Sequence, residues 1–420
     1  MRNGRWALLT IGFWWCLSVV GLGADAWDAA PVRYRESVAA DPVAKLIERV
    51  DGDLASEYPA ADEPLGRLAW LLDELQVPVQ SQTLVFSKTS LQTSRISPWH
   101  PRALYFNDDV YVGYVHGGDI EIAATDPQLG AVFYTLDMDA TGGVIERDSG
   151  NCLSCHASHR TQDVPGYFMR SVSTKRSGQP DFRLGSKNTT VESLFEDRFG
   201  GWYVSGHDLG APHGGRRVDH RFVARDYPHA HSDIAALLVL THQGQMHNAI
   251  ARSNHDARRA MLQNGEINRL LDRDEGFVSE STRRRFEHAA DRVLRHLVFA
   301  SEVGFERPAG GVEVHNGDAD TTETSGFREV FEARGPFDGQ GRSLRQLDLR
   351  TRTLRYRCSY LIYSDAFAGL PDAVRELVLK GLRAGLTSGE DDRFAHLSGE
   401  EKSAVDAILK ATLPEYEAVR

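Results

Sequence analysis

The chain has 420 residues, of which 41% are hydrophobic and 25% charged, with a formal net charge of −11. These are ordinary globular proportions, the length allows two or three domains, and a core of that size needs no covalent staples. The acidic balance argues against a nucleic-acid binder, which would carry a basic surface.

Arg2 and Arg5 precede a mostly apolar run from Trp6 to Leu22, and Ala24-Asp25-Ala26 follows it. This is the pattern of a secretory signal peptide over residues 1–26. The competing reading is an uncleaved anchor, because the run is at the lower edge of a spanning length. Cys16 lies inside the run and leaves with it on cleavage. No later stretch is long and apolar enough to span a bilayer. Cleavage leaves Cys152, Cys155 and Cys358, an odd set that cannot pair completely.

Residues 27–80 read as a helical N-terminal segment. Apolar residues at helical spacing run from Val43 to Tyr58, and a second helix covers Leu65 to Leu75 after Pro64. Strands are expected at 83–86, 102–106, 110–115, 120–123 and 131–136, separated by turn residues such as Asn107-Asp108-Asp109 and Asp126 to Gly130. Cys152-Leu153-Ser154-Cys155-His156 comes directly after this antiparallel sheet. The stretch 160–232 is loop-rich. It holds a short strand at Trp202-Tyr203-Val204 and the histidines His207, His213, His220, His229 and His231. The clearest helix runs from Asp233 to Leu262, with Ser232 or Asp233 as N-cap and Asn264-Gly265 as the stop. A second helix from Ser281 to Val303 completes a helical hairpin. Residues 306–326 read as a flexible linker. The C-terminal region, 327–420, has a strand at 354–363 around Cys358, then helices from Pro371 to Leu386 and from Ser398 to Ala411. Ser398 and Glu401 form the pattern of a capping box. The fold class is α+β, with 81–305 as the main domain.

The chemistry concentrates at CxxCH. Two thiols at this spacing can each form a thioether to a haem vinyl group, and the adjacent His156 can give an imidazole nitrogen to iron. With four cysteines in 420 residues the motif rarely arises by chance. A zinc ribbon needs a second ligand pair, and Cys358 stands alone. A redox dithiol leaves His156 without a role. Covalent haem c with Cys152, Cys155 and proximal His156 is therefore the leading reading.

Candidates for the distal iron ligand are weaker. His242 and Met246 lie at i and i+4 on the best helix and share a face. A packed histidine and a packing methionine are the ordinary roles of such residues. His213 sits in a glycine-bordered loop, where a solvated histidine is the common case. Met169 would require a tight loop after His156, and packing beside Phe168 is its simpler role. His159 is too near the proximal side. The histidines at 207–231 lack compact metal-ligand spacing. Asp108-Asp109 could serve acid–base chemistry but first reads as a turn. Gly200 to Tyr203 could pack on a haem edge.

At Cys152 to His156 the chain resembles c-type cytochromes, which implies haem and an exported location but no fold. More widely it resembles a group of exported bacterial proteins described as cytochrome-c-domain-like. The stretches that carry this are 97–113, 152–156, 200–204, 242–248 and 356–363. The resemblance adds weight to His242, Met246 and His213. It also leads one to expect His-Met-Gly-Asn in the His213 loop. This chain has His213-Gly214-Gly215-Arg216, so no methionine ligand stands there. The expected function is a monohaem c-type cytochrome passing electrons to a periplasmic partner protein. The alternatives are a haem enzyme or gas sensor with an open sixth position, and a haem-free dithiol or scaffold.

Overall fold

The computed structural model describes residues 25–49, 64–138, 145–148, 150–205, 209–218, 226–305, 325–388 and 391–419. The apolar N-terminal run, the far half of the Val43–Tyr58 helix, His207, His220 and nearly all of the 306–326 stretch lie outside these residues.

The fold is α+β. Two helices, α1 (Pro42–Arg49) and α2 (Pro64–Glu74), precede a six-stranded antiparallel meander. Its strands are β1 (Thr83–Val85), β2 (Arg102–Phe106), β3 (Val110–Tyr114), β4 (Ile120–Asp126), β5 (Gly130–Leu136) and β6 (Ile145–Arg147). The five expected strands are present, and β6 adds an edge. Side chains supply the turns. Asn107 Oδ1 accepts from the amides of Asp109 (3.0 Å) and Val110 (2.8 Å) between β2 and β3. Asp126 Oδ1 does the same for Gln128 and Leu129, both at 2.8 Å, before β5. Both are Asx turns, the local competitor to strand pairing that asparagine and aspartate offer.

The register fixes what each face carries. Leu104 opposes Gly113, which opposes Glu121, while Tyr111 opposes Ala123, which opposes Phe133. Strand alternation puts these and Arg102 on one face. Gly113 and Ala123 hollow that face out. A Cβ on Gly113 would lie 2.2 Å from the Arg102 guanidinium. The opposite face is covered by the N-terminal segment. There the Tyr134 hydroxyl donates to Asp41 (2.5 Å), and Arg147 donates to the carbonyls of Ser37 and Tyr34, both at 2.8 Å.

One helical turn, α3 (Leu153–His156), follows, then the antiparallel pair β7 (Met169–Val172) and β8 (Ser186–Thr189). The short strands β9 (Tyr203–Val204) and β10 (Arg216–Arg217) pair in parallel. The long helix α4 spans Ile234–Leu270 and packs against α5 (Glu280–Leu297) as the expected hairpin. Asp233 is the N-cap, accepting from Ala235 N at 2.7 Å. The helix does not stop at Asn264-Gly265. Asn264 instead spends its amide on the hairpin, donating to Phe277 O (2.7 Å) and accepting from Ser279 N (3.0 Å) and Thr282 Oγ1 (3.0 Å).

The C-terminal region is helical: α6 (Phe327–Ala333), α7 (Asp365–Ala368), α8 (Asp372–Ser388), α9 (Gly399–Thr412) and α10 (Pro414–Ala418). The strand expected at 354–363 is absent. Leu354 makes one bridge with Leu347, and Tyr360–Tyr363 is a 3₁₀ turn capped by Ser359. The run is apolar because it is buried, and with no strand alongside, its backbone groups bond in turns and to other elements, Ser359 N donating to Leu297 O at 2.8 Å and Arg357 N to Glu401 Oε1 at 3.0 Å. Ser398 caps α9, but the Glu401 carboxylate binds Arg357 rather than closing a capping box. Among the described residues no helix is long and apolar enough to cross a membrane.

Candidate functional site

The site is built on α3. The Asp148 carboxylate accepts from the amides of Gly150 (3.1 Å) and Cys152 (3.0 Å), which starts the turn. Cys152 O then accepts from His156 N at 2.9 Å. Positions i, i+3 and i+4 of one helical turn lie on one side, so Cys152, Cys155 and His156 come together.

His156 is held at two points by one residue. Its Nδ1–H donates to Gly166 O at 2.8 Å, and its own carbonyl accepts from Gly166 N at 2.8 Å. A carbonyl facing Nδ1 fixes the proton there and leaves the Nε2 lone pair as the available donor, the arrangement common to metal-ligating histidines. The ring centroid lies 5.0 Å from that of Phe133 and 4.8 Å from that of Phe168. Burial among them holds the imidazole below its ordinary pKa, so it stays neutral.

Gly166 is fixed in turn from α4. Asn248 Oδ1 accepts from Tyr167 N at 2.8 Å and its Nδ2 donates to Tyr167 O at 2.7 Å. A Cβ on Gly166 would come within 2.2 Å of Asn248 Oδ1, so only glycine fits under the clamp. Asn248→Ala leaves two buried backbone groups of Tyr167 unpaired. At ~1–3 kcal/mol for each group, urea melts should show a loss of ~2–6 kcal/mol. An unchanged midpoint would contradict the clamp.

The chain between His156 and Met169 reverses tightly. Gln162 (φ +60°) and Asp163 (φ +57°) both take left-handed backbone, and Thr161 Oγ1 donates to Val164 O at 2.7 Å. The return brings Tyr167, Phe168 and Met169 alongside α3. The tight loop that a role for Met169 requires is therefore present.

These elements enclose a cavity of about 310 Å³. The hollowed sheet face forms one wall, with Leu104, Tyr111, Gly113, Ala123 and Phe133. The stripe Leu240, Thr241, Gly244, Gln245 and Asn248 of α4 forms another. Cys152, Cys155 and His156 lie on the wall, as does Trp202, whose Nε1 donates to Arg170 O at 2.8 Å. Among the described residues lining the cavity, His156 is the one histidine and Met169 the one methionine.

The other distal candidates are elsewhere. His242 is buried beside the cavity stripe, its ring stacked 4.0 Å from Phe299 and its Nε2 2.7 Å from Ser359 Oγ. Met246 is fully buried; at ~100° per residue it points almost directly away from the stripe. His213 packs edge-on to Phe195 (6.1 Å) and Phe199 (6.3 Å), and its Nδ1 accepts from Gly215 N. None of the three lines the cavity.

The charges on the wall are unbalanced. Arg102 pairs with Glu121. Arg160 donates to Asn188 Oδ1 at 3.0 Å and Arg170 to Ser186 Oγ at 2.9 Å, both neutral acceptors. Neither forms an ion pair among the described residues. Sequence reasoning missed both arginines and Asn248, because each lies outside the motif that marks the site. Asp108 and Asp109 also lie outside the cavity. Asp108 is bound by Arg345 and Arg334, so it serves packing between the sheet and the C-terminal region.

The Cys152 thiol is not activated. Burial, helped by the Asp148 charge, pushes Cys152 up to about 12. A dithiol catalyst needs a lowered pKa to supply thiolate. Among the described residues no group of three or more histidine, cysteine or acidic side chains is placed to hold a metal ion.

No family model matches the chain, and no curated protein or solved structure does.

Proposed function

We propose that this chain is an exported monohaem c-type cytochrome that carries single electrons. The observation behind it is that Cys152, Cys155, His156 and Met169 share the wall of one cavity. The residues present suit haem c. The cavity falls in the usual size range of ligand sites and presents aromatic surface. Three arginines against one glutamate complement a group bearing two carboxylates. Thioether formation balances without an oxidant. Cys152 and Cys155 would hold the group through thioethers, each thiol adding its S–H across one vinyl double bond.

Bound haem supplies a one-electron iron couple whose potential follows its axial ligands and surroundings. The chain's own contributions are distinct. His156 offers Nε2 in a fixed tautomer, Asn248 and Gly166 hold the ring, Met169 offers a thioether, and Leu104 and Phe133 of the sheet face supply apolar surface. The exported location rests on the N-terminal signal pattern and suits a covalently held haem.

The test is the pyridine haemochrome spectrum of protein made with cytochrome maturation machinery. One haem should survive acid–acetone extraction, and Cys152→Ser with Cys155→Ser should retain none. Haem-free wild type under those conditions would sink the reading. A second reading, a gas-binding or catalytic haem protein with an open sixth position, draws on the polar wall formed by Arg102, Thr241 and Gln245. Complete conversion of the ferrous spectrum by carbon monoxide would favour it.

A further inference from the structure

The hairpin at the cavity mouth carries charge opposite to that of the chain. Residues 169–189, from the start of β7 to the end of β8, contain Arg170, Lys175, Arg176, Arg183 and Lys187 against Asp181 alone. That is a net +4 within a chain of net −11. Asp181 is taken up by Arg183 at 2.7 Å, and Lys187 pairs with Asp197 at 2.7 Å. Arg170 and the exposed Lys175 and Arg176 form no ion pair among the described residues.

The hairpin belongs to the site. Met169, Arg170, Asn188 and Thr189 line the cavity. Its Lys175–Gly178 turn is tied to the facing lip, where Lys88 N donates to Gly178 O at 3.0 Å. That lip contributes Ser87, Thr89, Ser90 and Leu91 to the cavity. Exposed apolar side chains accompany them: on the hairpin Phe182 is 57% exposed and Leu184 71%, and on the facing lip Leu91 is 64% exposed. The Arg170 guanidinium lies 5.3 Å over the Phe182 ring. Cys155, itself exposed, sits at the same mouth.

We propose that this lip is the docking surface for an acidic electron-transfer protein, an inference that rests on the haem reading above. An apolar centre with a charged rim is the usual anatomy of a transient interface. A local basic patch steers an acidic partner to the one edge where electrons would leave, while the remaining negative charge repels it elsewhere. An anionic membrane would have to approach the whole acidic body, which disfavours it against a protein that touches only the lip.

The test uses ferrous holoprotein oxidised by ferricyanide in stopped flow, from low to high sodium chloride. If the lip governs approach, the rate falls about tenfold as salt screens the attraction. The double variant Lys175→Glu, Arg176→Glu, altered only in an exposed turn, should reverse the slope. Calorimetric titration with poly-L-glutamate should show binding to wild type and none to the variant. This second measurement needs no haem. Wild type that takes up no haem under cytochrome maturation yet binds polyglutamate defeats the electron-transfer reading and leaves the acidic-partner surface standing. A wild-type rate that rises with salt, or a variant that behaves as wild type, overturns the surface. So does binding to phosphatidylglycerol vesicles without binding to polyglutamate.

Discussion

Lowering the pH from 6.5 towards 4 should destabilise this protein by up to about 3 kcal/mol per pH unit. The cause is three histidines on α4. Burial pushes His242 down to about 3, with His296 and His247 adding repulsion. It pushes His247 and His255 down to about 4. Each is neutral in the fold and bonded to a neutral group: Ser359 Oγ (2.7 Å), Asp108 O (2.8 Å) and Gln128 O (3.1 Å). The unfolded chain takes up a proton at each histidine near pH 6.5, while the folded chain does so only below about 4. Stability therefore falls with acid over that window, by about 1.4 kcal/mol per unit for each group. Asp109 opposes the trend. Burial and the neighbouring Asp108 raise it to about 7, so the fold holds its proton first and gains as pH falls. Asp41 and Glu302 are raised as well and act in the same direction. Burial lowers His229 and His396 as well, so the histidines outnumber these carboxyls and the sign is destabilising. Urea melts at pH 7, 6 and 5 would measure it. His255→Gln, which keeps a donor for Gln128 O, should reduce the slope by about one proton. A midpoint constant over this range would refute the argument. The effect reaches the site because the same helix carries Asn248, and loosening α4 frees the loop that holds His156.

Much of this fold is legible in the chain, for local reasons. Alternation with β-branched and aromatic residues marks β2 to β5, and Asn107 and Asp126 mark the turns because their side chains make the turn bonds. Asp233 marks the start of α4. The motif itself names three residues of the candidate site. What escapes is direction. Residues from Ile234 to Gly244 are buried on every side, so periodicity there holds no information on which face lines a hollow. His242 and Met246 share a helix side, as their spacing requires, but that side packs away from the sheet. Met169 depends on left-handed Gln162 and Asp163, neither of which is a glycine that would announce such a turn. The apolar stretch around Cys358 has strand composition without a strand to pair with, and composition alone cannot report the absent neighbour. Asn248 acts on backbone far away in sequence, and a clamp of that kind leaves no spacing to read.

On the haem reading, direction also decides the distal ligand. Met169→Leu should convert a low-spin ferric spectrum to high-spin, remove the long-wavelength charge-transfer band of thioether ligation, and open the ferrous form to carbon monoxide. Leucine conserves volume, so stability should change by less than ~1.5 kcal/mol and the spectrum reports ligation alone. The Met169 sulfur accepts from the Thr241 hydroxyl at 3.4 Å, a weak bond that competes with the shorter one from the same hydroxyl to Leu237 O at 2.8 Å. His242→Ala and Met246→Leu form the contrast. His242→Ala removes a ring stacked on Phe299 and leaves the Ser359 hydroxyl without its partner, which should cost ~2–4 kcal/mol with the haem spectrum unchanged. Met246→Leu should change neither spectrum nor stability beyond ~1.5 kcal/mol. A spectral change in His242→Ala with none in Met169→Leu would require α4 to turn its other face to the cavity, breaking the Asn248 clamp. Wild type that is already high-spin would instead mean that His156 is the one protein ligand, and the polar wall of Arg102, Thr241 and Gln245 would then face a site for an exogenous ligand.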